Sequence, residues 1–458
     1  MQSARSIMLE KRRLCFLKIF SLLFFISFTL TSFAQSNSPY SRFGLGDVSA
    51  NTNVTLRGLG GISAGYADIV SINFNNPASY SQFQTILEQR SKKLQYGRVV
   101  LDVGTNFESR SLIAPNTPNR FTSNDLLFSY VQVGLPLRKN WGLSFGIRPL
   151  SRISYLINST DSVRDVLGNA TPATSQYRGT GGSYLPSIGT GFAIKNFSAG
   201  FNVGYLFGNR ENTLLKQPIN DSLQYFPSEH TTNSSFGHLF FNGGVQYLAK
   251  LNTNTILRLG ASGNWRQTIT GSQDRMVQTF TRGSAGEELR IDSVYENNGV
   301  KGEVIYPSSY KGGFVLQRTN TNGSGWLFGA DYTINKWSEY RFFGQKDLVQ
   351  DNWMLNFGGQ LTPRPRSNYF SNITYRFGLF TGKDYIKVLN DLPLFGASFG
   401  MALPIRPSRL APNQFTVFNL GFEYMKRGND DNLLKENLFR VSLGLNVTDL
   451  WFGKRKYE

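Results

Sequence analysis

Histidine and cysteine carry much of the nucleophilic and metal chemistry of proteins, and this chain is poor in both. Its two imidazoles are His230 and His238, with Ser234 and Ser235 between them. A serine nucleophile needs its base within hydrogen-bond reach and a third group to orient that base. No carboxylate is set out for that role, and the run reads as a loop entering a strand. The single cysteine, Cys15, lies in an apolar stretch at the N-terminus. A mature chain without cysteine has no disulfide and no thiolate metal site, and two histidines do not make a multi-histidine one. Gly58-Leu59-Gly60-Gly61 lacks the strand–turn–helix setting of a dinucleotide loop. These residues predict neither an enzyme nor a bound cofactor.

The side chains left with chemical potential are charges in alternating, largely apolar surroundings. They are Arg148, Arg152, Arg258, Arg266, Asp331, Arg376, Glu423 and Arg440. Each falls on the face opposite its apolar neighbours. A charge on a lipid-facing position costs roughly 2–4 kcal/mol at the bilayer midplane, so in a membrane barrel these charges point into the lumen. There they have two uses. Asp331 and Glu423 can neutralise arginines in an internal ion-pair network. Alternatively the arginines, Arg148 and Arg152 first among them, can pair with a ligand carboxylate. Pro149 sits between those two. Proline donates no ladder hydrogen bond and is tolerated at edges, strand starts or bulges. A closed barrel has no edge, so Pro149 predicts a bulge, kink or gap around Arg148–Arg152, a lateral opening or a bulge near the outer rim.

The elements that position these residues are strands. Phe197, Ala199, Phe201, Val203, Tyr205 and Phe207 alternate with Ser198, Gly200, Asn202, Gly204, Leu206 and Gly208. The same period recurs from Trp326 to Asn335 and from Phe439 to Thr448. Six apolar residues sustained on one face exceed the usual soluble β-sandwich strand and suit a wall with lipid on one side. About fourteen strands follow, near 98–112, 124–138, 141–157, 176–195, 197–213, 235–250, 254–271, 307–319, 325–341, 351–363, 371–388, 393–404, 415–428 and 436–452. Tight turns at Lys139-Asn140, Lys195-Asn196, Asn252-Thr253-Asn254 and Thr321-Asn322-Gly323-Ser324 alternate with longer connections, the longest from about Gly271 to Tyr306. Short periplasmic turns alternating with long outer loops are the rule for outer-membrane barrels. The short connection near Asn390-Asp391 is placed outside, and the longer turn near Arg406-Pro407 in the periplasm.

The N-terminus sets the compartment. Lys11, Arg12 and Arg13 precede an apolar run from Leu14 to Phe33, and Ser32-Phe33-Ala34 supplies a small-x-small site. This is the order of a secretory signal peptide, residues 1–34, cleaved after Ala34. Removing its five basic residues and one acidic residue from 48 and 30 leaves a net charge of about +14. Export makes nucleic acid an improbable partner for that charge, and lipid headgroups or carboxylates better ones. After the signal no stretch approaches the roughly 20 apolar residues of a spanning helix. Aromatics at 14%, 46 glycines and a mean hydropathy of −0.27 suit an all-β transmembrane barrel of the outer membrane. Residues 35–93 break the pattern. They are rich in Gly, Asn and Ser and lead to Asn76-Pro77-Ala78. They predict a compact segment that enters the lumen as a plug, with the barrel over 94–458.

A Gly-Gly run, Ala67-Asp68, Asn76-Pro77-Ala78 and a fourteen-strand pattern together resemble the FadL/TodX family of outer-membrane transport proteins. The resemblance implies a fourteen-stranded barrel with an N-terminal hatch, of which Asn76, Pro77 and Ala78 form the motif. It implies passive uptake of small hydrophobic compounds such as long-chain fatty acids, and a kinked third strand as a lateral opening. Ser38-Pro39-Tyr40-Ser41-Arg42-Phe43-Gly44 is similar to a divergent group of such barrels with poorly defined cargo. The chain departs from the family in a basic tail, Gly453–Glu458, after the last aromatic residues Trp451-Phe452. Two readings follow. The first is a transport channel touching membrane lipids and hydrophobic cargo. The alternative is a barrel adaptor for protein export or envelope assembly that binds envelope protein partners, favoured by the charged, polar stretch Ser272–Ile305.

Overall fold

Alternation of apolar and polar residues produces one continuous antiparallel sheet closed on itself, described here from a computed structural model. The structure describes residues 38–49, 52–87, 94–115, 120–164, 170–219, 226–282, 288–405 and 413–451. The expected signal peptide, the turn near Arg406-Pro407 and the basic tail lie outside these residues. Fourteen wall strands run in order. They are β1 (Leu94–Ile113), β2 (Arg120–Arg138), β3 (Trp141–Arg164), β4 (Ala170–Ile194), β5 (Phe197–Pro218), β6 (Ser228–Lys250) and β7 (Thr255–Asn264 with Gln267–Arg282). Then follow β8 (Glu288–Tyr306 with Ser309–Thr319), β9 (Gly325–Asn335), β10 (Asn352–Thr362), β11 (Thr374–Lys387), β12 (Asp391–Ile405), β13 (Phe415–Arg427) and β14 (Lys435–Trp451). Each pairs with the next, and β14 pairs with β1 from Lys435↔Ile113 to Trp451↔Gly97, which closes the barrel.

The faces are inverted relative to a soluble protein. On β14, Phe439, Leu443 and Leu445 are exposed, while Arg440, Ser442, Asn446 and Thr448 are buried. On β5, Phe197, Phe201 and Tyr205 point out and Ser198 and Asn202 point in. Apolar side chains meet lipid and polar ones fill the interior, the arrangement of an outer-membrane barrel. The tight turns expected after the second and fourth strands are present. Asn140 and Lys195 take φ of 62° and 55° there, the positive values that two-residue hairpin turns require.

One expectation is corrected. The stretch from Gly271 to Tyr306 is not a loop. Gln267–Arg282 and Glu288–Tyr306 pair along their length, with three register shifts, and the first also pairs with Ser228–Phe236 of β6. Its Thr, Val and Gln residues hold a solvated ladder without an apolar stripe, so the period-2 signal was weak. β7 is interrupted at Trp265-Arg266, where the Gln267 side chain takes the place of a ladder partner. Its amide accepts from the Phe241 N–H (2.8 Å) and donates to the Phe241 carbonyl (3.0 Å). β8 is interrupted beside Pro307, which has no donor to give.

The wall is uneven in height. β3 to β6 have 24, 25, 22 and 23 residues, whereas β10 and β13 have 11 and 13. At about 3.3 Å per residue, the long strands exceed what a membrane strand of roughly 9–11 residues needs. β3 to β8 therefore stand above the outer face as a curved β-wall.

Candidate functional site

Residues 38–49 and 52–87 lie against the inward faces of the strands. The segment's α-helical turn, α1 (Val54–Arg57), begins where the Asn53 side chain accepts from the Leu56 N–H (2.8 Å). The Asn53 amide then donates to Ser71 Oγ and the Ile72 carbonyl (2.7 and 2.8 Å). Arg57 is buried and donates to Ser442 Oγ (3.0 Å), Ser129 Oγ (3.3 Å), the Thr52 carbonyl (2.8 Å) and Asn106. Asp331 on β9 accepts from the N–H groups of Ser63 (2.6 Å) and Ala64 (2.8 Å). Asn76 donates to the Ala64 carbonyl (2.7 Å) and the Val245 carbonyl (3.3 Å), and its Oδ1 accepts from the Ala78 N–H (3.2 Å). Pro77 opens a 3-10 turn to Gln82. A Cβ at Gly191 or Gly200 would lie 2.2 or 2.5 Å from the Pro77 carbonyl oxygen, so the turn can rest here only on glycine backbone.

Above this layer two ion-pair clusters, linked by Arg110 to Glu108 (3.8 Å), cross the line where the barrel closes. Arg440 of β14 donates from Nε to Glu108 of β1 (2.7 Å) and from Nη1 to Glu423 of β13. Arg110 of β1 pairs with Glu436 of β14 (3.1 Å) and with Asp47. Arg427 of β13 joins Glu436 (3.0 Å), Asp384 (2.9 Å) and Asp47 (3.5 Å). Burial makes such pairs costly to form and costlier to break, and here every carboxylate has a guanidinium. Over these clusters an apolar layer of Tyr40, Leu45, Leu150, Phe236, Trp337 and Tyr385 covers the outer side. Trp337 stacks on Tyr385 with ring centroids 4.1 Å apart. Between the two layers is a cavity of ≈ 380 Å³, with Arg57, Asn75, Arg148, Tyr306, Lys311 and Asn356 among its lining.

Among the described residues the β2–β3 ladder is incomplete, which leaves a seam. β2 pairs with β3 from Arg138↔Trp141 only as far as Val131↔Ile147. Beyond Ile147, β3 keeps its ladder to β4 through Pro149↔Tyr184, with a register shift between Pro149 and Ser151. Its other edge takes Asp47 and Val48 as a strand, Asp47↔Arg152 and Val48↔Ser151. Ser49 N–H donates to the Leu150 carbonyl (3.0 Å), and Ser38 N–H to the Ser154 carbonyl (3.2 Å). Arg152 reaches across to Asp125 of β2 (3.2 Å). Thus the ladder breaks on the β2 side of Pro149, and the N-terminal segment lies in the break.

The BamG family profile matches residues 16–458. The chain belongs to the BamG family. A comparison with curated proteins finds no match. Among solved structures, a Pseudomonas aeruginosa FadL homologue is similar at 11% identity over 89% of this chain and 99% of that one, with a TM-score of 0.50. The Pseudomonas putida toluene transporter TodX (13%, 89% and 99%, 0.47) and the CymD monoaromatic hydrocarbon channel (12%, 88% and 98%, 0.48) also align. At such identities the likeness is one of fold: this BamG-family chain has the FadL/TodX-type barrel and resides in the outer membrane.

Within this BamG-family barrel the arginines singled out from the sequence do not form one site. Arg148 and Arg440 line the cavity. Arg148 is buried with its guanidinium 4.6 Å from the Phe74 ring centroid, and its Nε and Nη1 have no hydrogen-bond partner. Arg440 is fully engaged by carboxylates. Arg376 donates to Gln360 and Asn419 (both 3.0 Å), and Arg258 to the Ala67 carbonyl (3.4 Å). Arg152 spans the seam. Arg266 is exposed in the β7 interruption, where the period-2 face assignment lapses. His230 and His238 are exposed on β6. Sequence reasoning missed Arg57, Glu108, Arg110, Arg427 and Glu436. Glu108-Ser109-Arg110 and Glu436–Arg440 have the even spacing of one strand face, so their inward parity was there to be read.

Proposed function

We propose that this barrel is a closed outer-membrane adaptor that binds envelope protein partners, in export or envelope assembly. One observation supports the reading: the β3–β8 strands are long enough to stand above the membrane, while residues 38–49 and 52–87 and the ion-pair clusters pack against inward faces of the barrel strands. A wide conduit needs a lumen that empties. Here Asn53, Arg57, Asn76 and Asp331 tie the segment to four or more strands, which suits a permanent plug. A raised β-wall adds surface without adding membrane-spanning length, which suits protein recognition. The test is affinity capture from intact outer membranes. A stoichiometric partner, lost when the β7–β8 ribbon (267–306) is shortened to the height of β9, is the expected result. A barrel that is captured alone, with and without the ribbon, overturns the reading.

A second reading is favoured by the seam at Pro149. Passive passage of small hydrophobic compounds, long-chain fatty acids among them, would use the cavity as a way station and the β2–β3 break as the exit into lipid. The lining offers Arg148, Lys311 and several asparagines to a polar end and Phe240, Phe380, Leu394 and Leu438 to a hydrocarbon chain. Uptake of a hydrophobic tracer into cells, compared between the native chain and a strain lacking it, tests this reading: equal uptake removes it.

A further inference from the structure

Charge is segregated along the barrel axis. The turns that follow β2, β4, β6, β8 and β10 face the periplasm, and each carries exposed cations: Arg138 and Lys139, then Lys195, Lys250 and Arg318, then Arg364 with Arg366. No aspartate or glutamate stands within five residues of any of these turns. Among the described residues none of these cations has a carboxylate partner. At the outer ends of the strands the cations are matched instead. Lys216, Lys336 and Lys387 pair with Asp161, Asp351 and Asp391 at 3.1–3.3 Å, and Lys435 pairs with Asp430. One periplasmic cation is held at a cost. Lys195 takes φ of 55°, where glycine or asparagine sits without strain, so a lysine there points to a use for its charge.

We infer that this periplasmic rim is a binding girdle for the phosphates of anionic phospholipids in the periplasmic leaflet of the outer membrane. Two observations choose lipid as the occupant. The first is level. Exposed apolar side chains stand beside the cations: Trp141 close to Lys139, Ile194 and Phe197 on either side of Lys195, and Tyr247 and Leu251 on either side of Lys250. Aromatic residues gather where hydrocarbon meets headgroups. A lysine or arginine just beyond them lays its stem along apolar surface and brings its charge to the phosphates. The second observation is distribution. The cations recur at each periplasmic turn from β2 to β11, around most of the circumference. An acidic protein would cover one sector of that rim, whereas lipid surrounds all of it. Because no carboxylate offsets them, the cations favour a headgroup of net negative charge over a zwitterionic one, by an attraction that salt screens. The girdle rests on neither reading of the function, since an adaptor and a channel would be held in the leaflet in the same way.

The test uses the full-length protein reconstituted in phosphatidylcholine bilayers, with brominated phosphatidylglycerol or brominated phosphatidylcholine as the probe. Quenching of tryptophan fluorescence is the readout, since Trp141 and Trp326 stand exposed at the rim. Phosphatidylglycerol is expected to be preferred at the barrel surface at least about threefold at low salt, with the preference falling toward unity as salt is raised. The combined change Lys139→Gln, Lys195→Asn, Lys250→Gln, Arg318→Gln, Arg364→Gln and Arg366→Gln should abolish the preference in a barrel that keeps its heat-modifiable mobility. Should that variant not fold, Lys195→Asn with Lys250→Gln, which also relieves the strained turn, should lower the preference in part. Six changes at the outer ends, Lys216→Gln, Lys301→Gln, Lys336→Gln, Lys346→Gln, Lys387→Gln and Lys435→Gln, should leave it in place. Equal quenching of the native chain by the two lipids overturns the girdle. So does a preference that salt does not weaken, that survives the rim changes, or that the outer changes remove as well. An acidic protein captured from intact membranes by the native chain and not by the rim variant, without any lipid preference, assigns the rim to that protein and overturns the girdle too.

Discussion

Arg440 and Glu108 face each other across the β14–β1 pair, the ladder that closes the barrel, with Nε and Oε1 2.7 Å apart. The two strands are the ends of the wall, yet their inward faces carry a buried ion pair at the join. Arg110 and Glu436 pair diagonally further along the same ladder, where they stand opposite Leu438 and Leu112, with the charges exchanged between the strands. The join is therefore marked electrostatically. A slip of one residue would turn Arg440 and Glu436 toward lipid.

Removing one partner leaves a charge buried and uncompensated. Glu108→Ala is expected to cost about 3–5 kcal/mol and to lower the temperature at which the barrel loses its compact mobility on heat-modifiability gels. The double change Glu108→Leu and Arg440→Met leaves Glu423 without its guanidinium, so it recovers only part of the loss. Adding Glu423→Gln recovers most of it. Equal melting of Glu108→Ala and the native chain contradicts this role for the pair.

The contact of Pro77 with Gly191 and Gly200 gives a sharper probe of how the N-terminal segment sits. Gly200→Val puts methyl groups where the Pro77 carbonyl lies 2.5 Å from a bare Cβ. The wall itself tolerates valine, since β5 pairs through its backbone. The expected outcome is a folded, heat-modifiable barrel whose segment 38–87 is cut by periplasmic-side protease at least about tenfold faster than in the native chain. Unchanged cleavage with an intact barrel means that the turn does not rest on this glycine.

Deleting Gln35 to Ser79 removes the helical turn, the Asn53 and Asn76 hydrogen bonds and the Asp47–Val48 strand together. Barrel pairing from β1 to β14 does not depend on them, so insertion is expected to survive. Planar-bilayer conductance of the shortened chain should exceed that of the full chain at least about tenfold, as a lumen emptied of side chains conducts ions. Equal conductance would mean that the segment is no plug.

The alternation of residue types made the fold legible. Fourteen strands follow from period 2, because a lipid-facing wall cannot relax that pattern, and tight turns such as Lys139-Asn140 and Lys195-Asn196 follow from the residues between them. The same rule pointed Arg148, Asp331, Arg376, Glu423 and Arg440 inward. What it does not encode is pairing between distant strands: Glu108 and Arg440 are neighbours only because the barrel closes. The outer ribbon escaped notice because water on both faces removes the apolar stripe. The pairing of Asp47 and Val48 with β3 escaped because two residues are too short for any period to show.

Arg148 is the residue whose surroundings ask most for a ligand. Its Nε and Nη1 are buried without a hydrogen-bond partner, its planar group rests against Phe74, and it lines the cavity at the inner end of the seam. An unpaired buried guanidinium costs stability that a methionine of similar length does not. Arg148→Met is therefore expected to leave the barrel as heat-stable as the native chain or more so, by about 1 kcal/mol or above. A soluble carboxylate such as octanoate should raise the melting temperature of the native chain and leave that of the variant unmoved, because the hydrocarbon tail alone has nothing to pair with. Pro149→Val is the companion change. It restores a backbone donor at the start of the β2–β3 break, so it should hinder lateral escape of a hydrophobic tracer while leaving octanoate binding at Arg148 intact. A native chain that octanoate does not stabilise makes Arg148 a packing residue beneath the outer layer. A valine variant with unaltered tracer uptake removes the seam from any transport role, whatever Arg148 binds.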